Sequence, residues 1–281
     1  MSDGQDHANN NGGYHLDSNH DPEDALRKIR TTGSLSISPE LFEKIYLSPQ
    51  NKVAGELRKT VGNPTPVALV GFLLSLSPLS FDLMGLRGSG PSTGSAGIGF
   101  YIGFGAVCMY LGGVGEWVLG NTFPATVFIS FGGFWTAFAL TLTPYTGAIS
   151  NYSTNGTLAG GLKSAEFASS LAFILVFMGV LCFVYLLIAL RTNLVFVLIF
   201  LLLVPSFGCL CGYYWNAAKG IMKPELLVTA GALTFVIDVL GWYLVIAILL
   251  AAVDFPFSLP VVDLSHLIKG ASDRARERSE A

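Results

Sequence analysis

Charged side chains are scarce in this 281-residue chain: Asp, Glu, Lys and Arg make up 12% of it, whereas hydrophobic residues make up 52%. Soluble domains carry about 25% charged residues, so about half of the usual charge is missing. Between residues 60 and 255 the only basic side chains are Arg87, Lys163, Arg191, Lys219 and Lys223. This depletion excludes a soluble core and indicates that the region lies within a membrane.

Residue types that carry enzymatic or metal chemistry are also few. The four histidines, at positions 7, 15, 20 and 266, lie outside the hydrophobic region, and the sequence shows no phosphate loop and no Ser/His/Asp arrangement. The cysteines lie in apolar runs without zinc-ligand spacing, as expected of small packing residues: Cys108, Cys182, Cys209 and Cys211. We therefore expect no enzyme, no cofactor and no metal site, and the net charge of -3 gives no reason to expect nucleic acid.

Six segments are long and apolar enough to span a bilayer, which requires about 20 residues. They are residues 65–86, 98–119, 123–143, 168–190, 194–215 and 226–251, and residues 144–167 form the only long internal loop. The predicted fold class is therefore all-α, a bundle of six transmembrane helices. Residues 61–265 form the membrane transport domain, between a polar and mostly disordered cytosolic tail at 1–60 and a charged cytosolic tail at 266–281.

Two patterns predict that both chain ends are cytosolic. Lysine and arginine residues precede the first span (52–59) and follow the last span (269–278), and an even number of spans puts both ends on one side. The 144–167 loop then faces outside, where it carries two glycosylation sequons that begin at Asn151 and Asn155. We therefore expect a plasma-membrane glycoprotein with Asn151 and Asn155 as glycosylation candidates.

The first span opens with Asn63, Pro64, Thr65 and Pro66. Prolines are tolerated at a helix start, and an asparagine there can cap the helix. The N–H groups and the positive dipole end at this mouth would attract a carboxylate, which makes Asn63, Pro64 and Pro66 candidates for the substrate pathway. The alternative is a capped helix start that binds nothing.

The sixth span carries Gly231, Thr234, Asp238 and Gly241 at positions that share one helix face. Small residues allow helices to approach closely, and an acid within the membrane normally faces the bundle interior or a water-filled path. Asp238 is therefore a proton-coupling candidate, and the alternative is an acid that is neutral or hydrogen-bonded to a neighbouring helix.

The second span repeats this pattern with Gly105, Met109, Gly112 and Glu116. Glu116 is a second proton-coupling candidate, although its position near the membrane edge favours a place among lipid headgroups. In the fifth span an aromatic stripe recurs at heptad-like spacing: Phe196, Phe200, Leu203 and Phe207. Such a stripe usually packs against lipid or another helix, and in a channel it could form a constriction that gates by dewetting.

Several motifs resemble those of one known family. Asn63-Pro-Thr-Pro-Val-Ala-Leu69 is similar to its N-P-A-P-L-G-L signature, and Glu116-Trp-Val-Leu-Gly-Asn-Thr-Phe123 is similar to its turn from an acid to G-N-T-F. Ser130-Phe-Gly-Gly-Phe-Trp135 resembles its S-Y-G-x-F-W segment, and Leu259-Pro-Val-Val-Asp-Leu-Ser265 resembles its C-terminal strip. The family is that of the acetate uptake transporters, which includes the bacterial succinate–acetate permease and fungal acetate and ammonia permeases.

The resemblance implies a six-helix protomer with its own pore, assembled as a ring of six, that carries acetate and related short acids, often with protons. The side chains that pinch the pore in this family match Phe72 and Phe131, and less firmly Leu201 or Leu202 in the fifth helix. Gly241 matches a selectivity position in the sixth helix, where Thr234 lies on the same face.

Three residues depart from the family pattern: Ala68 stands at a glycine position, Phe131 at a tyrosine position, and Asp238 where no acid is expected. The departures predict a shifted substrate preference or weak transport. The resulting prediction is a membrane permease or channel for acetate and related short monocarboxylates, with proton coupling as a hypothesis. The alternatives are an ammonia or ammonium exporter and a membrane acid sensor that does not transport.

Overall fold

The structure is a computed structural model that describes residues 14–16, 35–37, 60–90, 94–264 and 268. Six helices in it are long and apolar enough to cross a membrane. They are α1 (Thr65–Met84), α2 (Ser95–Val118), α3 (Thr122–Leu142), α4 (Ala165–Ala189), α5 (Leu194–Ala218) and α6 (Pro224–Ala252). The predicted all-α bundle of six spanning helices is confirmed, and each helix end lies within three residues of its predicted position.

Two short strands, β1 (Tyr14–Leu16) and β2 (Leu35–Ile37), pair in parallel with Tyr14 opposite Leu35. The expectation of a mostly disordered tail over residues 1–60 did not include this pair. The rest of that expectation, up to residue 59, lies outside the described residues, as does nearly all of the predicted C-terminal tail at 266–281.

Local sequence signals explain where the helices begin and end. The side chains of Ser164 and Asn193 accept hydrogen bonds from the first turns of α4 and α5, which is the usual role of these residues at a helix start. Helix α1 ends at Gly85, whose φ of 69° is the left-handed conformation that favours glycine. Each of these residues lies just outside an apolar run, so hydropathy and capping place the helix ends together.

Helix α2 is irregular in its first half. A 3-10 turn (Ser95–Gly97) and a short α segment (Ile98–Phe100) lead into a π-helical segment (Tyr101–Ala106), which is followed by regular α-helix from Val107. The Ser75 hydroxyl of α1 donates a hydrogen bond of 3.2 Å to the carbonyl of Phe100, at the start of the π segment. Widened turns of this kind are frequent at functional sites.

The six helices form a ring in chain order. Helix α1 packs between α2 and α6, α3 follows α2, and α5 packs between α4 and α6. The ring is closed between α3 and α4 by a 3.0 Å hydrogen bond between the hydroxyls of Ser130 and Tyr185. We call the end of the bundle where α1 begins and α6 ends the terminal end, and the opposite end the loop end.

Short helical segments cover the loop end, namely Leu86–Gly88, Pro144–Thr146, Ser150–Tyr152 and Leu158–Leu162. At the terminal end the chain folds back after α6. The N–H of Leu194 donates to the carbonyl of Val262, and the N–H of Leu264 donates to the carbonyl of Thr192, both at 2.9 Å. This C-terminal strip therefore fastens onto the turn between α4 and α5.

Candidate functional site

A small apolar cavity of about 30 Å³ lies inside the bundle between α1, α2, α3 and α5, and we call it the waist. The rings of Phe72 and Phe131 meet across it edge to face, with their centroids 6.1 Å apart. Every residue of its lining is apolar: Leu69, Phe72, Met109, Val127, Phe128, Phe131, Phe196, Ile199, Phe200 and Leu203. The waist is therefore a dry constriction.

The waist forms because each helix presents one edge of its apolar surface to it. Phe196, Phe200 and Leu203 line it at intervals of one helical turn, and the next member of this stripe, Phe207, is also buried. The aromatic stripe of the fifth span thus faces the interior of the bundle and not the lipid. Its spacing was the signal that could have identified the contribution of α5.

A larger apolar cavity of about 140 Å³ lies at the loop end, and we call it the vestibule. Helices α1, α3, α4, α5 and α6 contribute to its wall, and the loop residues Gly94, Ile149 and Leu162 cover it. Phe134 lines the vestibule one turn after Phe131 and packs edge to face against Phe207 at 5.7 Å. A layer of aromatic rings therefore separates the vestibule from the waist.

The structure brings only some of the predicted pathway residues to these cavities. Phe72 and Phe131, which the family resemblance assigns to the pinch of a pore, both line the waist. Leu201 is 49% exposed, and neither Leu201 nor Leu202 lines the waist, where Phe200 and Leu203 stand instead. The fifth helix therefore lines the waist with Phe200 and Leu203, which flank the two expected leucines in the sequence.

Thr234 and Gly241 lie where α6 packs against α1, away from both cavities. A Cβ added at Gly241 would lie 2.6 Å from Cδ2 of Leu73, so a larger residue there would require the Leu73 side chain to move. The Thr234 hydroxyl lies 2.9 Å from the carbonyls of both Ala230 and Gly231 and donates within its own helix. The predicted shared face of α6 exists, but it packs against α1.

The N-terminal end of α1, its mouth, has few backbone N–H groups available to bind an anion. The N–H of Thr65 donates to Oδ1 of Asn63 at 2.9 Å, and Pro66 has no N–H. The N–H groups of Val67 and Ala68 both donate to the carbonyl of Pro64. Within residues 65–68 no backbone donor is left for a substrate carboxylate, which favours the alternative of a capped helix start.

Glu116 of α2 lies behind this mouth and is 1% exposed. The Thr65 hydroxyl donates to its Oε1, and Nδ2 of Asn121 donates to its Oε2 at 2.6 Å. The interpretation that places Glu116 among lipid headgroups is therefore wrong. Its carboxyl group ties the start of α1 to the turn between α2 and α3.

Asp238 is also buried, at 3% exposed, but its surroundings differ. Neither carboxyl oxygen forms a hydrogen bond with any described residue. The polar side chains that interact with it are Ser77 and Ser80 of α1, and Oγ of Ser77 accepts a hydrogen bond of 3.2 Å from Nε1 of Trp242. Asp238 lies at the contact between α1 and α6 and lines neither cavity.

Glycines bring α1 and α2 into backbone contact. A Cβ added at Gly112 would lie 2.8 Å from the amide nitrogen of Ala68, and one at Gly115 would lie 2.5 Å from Cβ of Pro64. The methyl group of Ala68, which departs from the family pattern, is therefore accommodated by the absence of a side chain at Gly112. This close contact fixes α1, and with it Phe72, relative to α2.

The remaining predicted sites lie outside this interior. Asn151 and Asn155 are exposed at the loop end, within the loop that joins α3 and α4. Among the residues that the structure describes, no cluster of His, Cys, Asp or Glu side chains could hold a metal ion. The features of the interior are therefore the two cavities and the two acids buried within the spanning helices, Glu116 and Asp238.

Six apolar helices long enough to span a bilayer, with two apolar cavities inside the bundle, define an integral membrane protein. The chain belongs to the GPR1/FUN34/yaaH family, whose model matches residues 46–266. This match confirms the resemblance to the acetate uptake transporters.

Two curated relatives and one solved structure are similar over most of the chain. Protein alcS of Aspergillus fumigatus is 44% identical over 248 residues, which cover 87% of this chain and 91% of the relative. Acetate permease A of Emericella nidulans is 32% identical over 227 residues, 80% of this chain and 73% of the relative. The bacterial acetate channel SatP matches in fold with a TM-score of 0.55 and 24% identity, over 72% of this chain and 99% of SatP.

Proposed function

We propose that this protein is a membrane permease for acetate and related short monocarboxylates. The observation that carries the proposal is the waist, a narrow constriction with a wholly apolar lining, followed by a wider cavity at the loop end. Family membership and the relative that bears the name acetate permease A support the same substrate class. The waist then selects among solutes by their size and by the free energy that each needs to lose its hydration water.

The lining indicates that an uncharged species crosses the waist. Moving an isolated carboxylate from water into an apolar surrounding costs on the order of tens of kcal/mol, whereas a hydrogen-bonding neutral group costs only a few kcal/mol. No charged side chain lines either cavity, so nothing there would offset the charge of an acetate ion. We infer that the acid crosses together with its proton, which is the coupling that the family resemblance implied.

The test is a pH measurement inside proteoliposomes that contain a fluorescent pH indicator. Entry of undissociated acetic acid acidifies the lumen, so a saturable acidification faster than in protein-free vesicles supports the proposal. Acidification at the protein-free rate contradicts it. If radiolabelled acetate binds to the purified protein while this flux is absent, the membrane acid sensor is the better description.

Ammonia transport is the second candidate, because NH3 is small and neutral and would also pass an apolar waist. The same vesicles distinguish the two functions, since NH3 takes up a proton inside and makes the lumen alkaline. Faster alkalinisation after addition of an ammonium salt, without faster acidification by acetate, would favour the ammonia exporter.

Of the two proton-coupling candidates, we propose Asp238 as the residue that couples acetate passage to a proton. Glu116 already receives close hydrogen bonds from Thr65 and Asn121, whereas the described polar groups beside Asp238 are the Ser77 and Ser80 hydroxyls, which do not meet hydrogen-bond geometry. Because Asp238 lies beside α1 and lines neither cavity, it would influence the waist through the position of α1 and Phe72.

Cytosolic termini, a plasma-membrane location and assembly as a homohexamer are further parts of the proposal. Exposure of Asn151 and Asn155 supports an external loop end, since a glycan needs an accessible side chain. Treatment of the cell-expressed protein with an N-glycosidase should shift its electrophoretic mobility, and replacement of both asparagines by glutamine should remove the shift. Native mass spectrometry of the purified protein measures the number of subunits.

A further inference from the structure

We propose that the vestibule is a binding site for undissociated monocarboxylic acids with tails of about four to six carbon atoms, the size range that includes benzene. Such acids bind in the vestibule but do not pass the waist, so they inhibit the passage of acetate. The inhibition, though not the binding, rests on the proposed function.

The two cavities differ in volume by enough to separate ligands by size. The vestibule measures about 140 Å³ and the waist about 30 Å³. An apolar protein cavity of about 150 Å³ lined by Leu, Ile and Phe stays dry and binds benzene. The vestibule therefore has room for a tail that the waist cannot hold.

The wall of the vestibule suits a hydrocarbon tail. Phe134 and Phe138 stack with nearly parallel rings 6.0 Å apart on the α3 side, and Leu171 and Leu175 of α4 face them. On the loop side the cavity is covered by Ile149, which is itself only 4% exposed. Burial of each methylene group in such a surrounding strengthens binding about fourfold.

One side chain in the wall is suited to the carboxyl end of the ligand. Tyr214 lines the vestibule, and its phenolic hydroxyl forms no hydrogen bond with any described residue. The Thr141 hydroxyl, in contrast, already donates to the carbonyl of Ala137 at 2.8 Å. A phenol can both donate to and accept from an undissociated carboxyl group, so Tyr214 would hold the head while the tail contacts the rings.

No charged residue lines the vestibule, which excludes an ionic contact as the source of affinity. The ligand class is therefore set by the apolar tail and a neutral head and not by negative charge. For the same reason the strength of inhibition should follow the concentration of undissociated acid as pH changes.

The first experiment measures inhibition of acetate-driven acidification in proteoliposomes by a series of straight-chain acids and by benzoic acid. We expect the inhibitory concentration of undissociated acid to fall about fourfold per added methylene and to level off at tails of about six carbons, where the cavity is full. Potency that is independent of tail length overturns the proposal. Potency that keeps rising with longer acids also overturns it, because that is partition into lipid.

Matched variants locate the effect. Ala137→Phe fills the vestibule, whereas Leu140→Phe adds bulk on the same helix at a residue that is 42% exposed and does not line the cavity. Tyr214→Phe removes the proposed head contact, and its neighbour Tyr213, outside the lining, gives the control Tyr213→Phe. We expect at least tenfold weaker binding of hexanoic acid with Ala137→Phe, weaker binding of all acids with Tyr214→Phe, and no change in either control.

Binding is measured on the detergent-solubilised full chain by calorimetry with hexanoic and benzoic acids, which requires no transport. Binding that depends on tail length and is lost in Ala137→Phe supports the vestibule site even if acetate flux is absent, in which case only the proposed permease function fails. Acetate flux without such binding overturns the vestibule site and leaves the permease function intact.

Discussion

Two buried carboxyl groups face α1, one on each side of it, and their surroundings are opposite. Glu116 on α2 receives hydrogen bonds from Thr65 and Asn121, whereas Asp238 on α6 receives none from the described residues. Both side chains are at most 3% exposed. Equal burial therefore does not imply an equal role.

A carboxyl group held by two donors contributes to structure, because its hydrogen bonds compensate for the water that it has lost. A carboxyl group without donors lowers stability whenever it is ionised, so its presence points to a role other than holding the fold. On this comparison, Glu116 fastens the start of α1, and Asp238 is available to bind a proton. The following predictions test that division, beginning with the largest expected effect.

Glu116→Ala should cause the largest loss of stability. The change leaves the Thr65 hydroxyl and the Asn121 amide buried without their acceptor, which should cost about 2–5 kcal/mol in free energy of unfolding. Denaturant unfolding in detergent measures this loss. Glu116→Gln keeps one acceptor oxygen and should lose less, and equal stability of Glu116→Ala and the wild type would contradict the structural role.

Asn121→Ala should destabilise less, because it removes only one of the two donors. The expected loss is about 1–3 kcal/mol, with Oε2 of Glu116 left without this hydrogen bond. Unfolding of Asn121→Ala, Glu116→Ala and the double variant forms a thermodynamic cycle. A double variant whose loss equals the sum of the single losses would show that the two residues do not interact.

Asp238→Asn should leave the free energy of unfolding unchanged or raise it by about 1 kcal/mol, because it removes a charge whose burial is unfavourable. Because protonation of Asp238 is proposed to influence the waist through the position of α1, acetate uptake by this variant should vary less with pH than uptake by the wild type. Proteoliposome assays over a pH series measure this dependence. If the pH profiles of variant and wild type coincide, Asp238 is not the proton site.

Ser77→Ala should have the smallest effect on stability, within about 0.5 kcal/mol, since the side chain is only partly buried. It removes the hydroxyl that accepts from Trp242 and interacts with Asp238. Any change should therefore appear in the pH profile of uptake and not in unfolding. A loss of stability as large as that of Asn121→Ala would show that the two sides of α1 are not as different as the hydrogen bonds indicate.

Hydropathy was sufficient to predict the spans, because a bilayer requires long apolar runs and these are separated by polar turns. The family motifs pointed to Phe72 and Phe131, whose rings the structure brings together at the waist. In α5 no motif was available, and Leu201, Leu202 and Leu203 are chemically identical. The spacing of the aromatic stripe, which includes Leu203, was the one signal for the residue that lines the waist, whereas Leu201 faces outward.

The two acids show a second limit of sequence reasoning. Thr65, which donates to Glu116, is 51 residues away in the chain, so no local pattern could reveal the contact. The sequence also could not decide between an anion site and a capped helix start at the mouth of α1. The prolines and Asn63 were correctly read as helix-start residues, but the backbone conformation that directs the N–H groups of Val67 and Ala68 to Pro64 is not visible in the sequence.

The attachment of the C-terminal strip has a mechanical consequence. Because the strip bonds to the turn between α4 and α5, and Tyr243 of α6 donates to the carbonyl of Pro260 at 2.6 Å, these three helices are joined as one unit. The glycine contacts join α1 to α2, and the short turn at residues 119–121 joins α2 to α3. Gly231 and Gly241 join α6 to α1 by contacts of the same kind. Any widening of the waist should then leave this arc of helices together and separate α3 from α4, which meet at the Ser130–Tyr185 hydrogen bond.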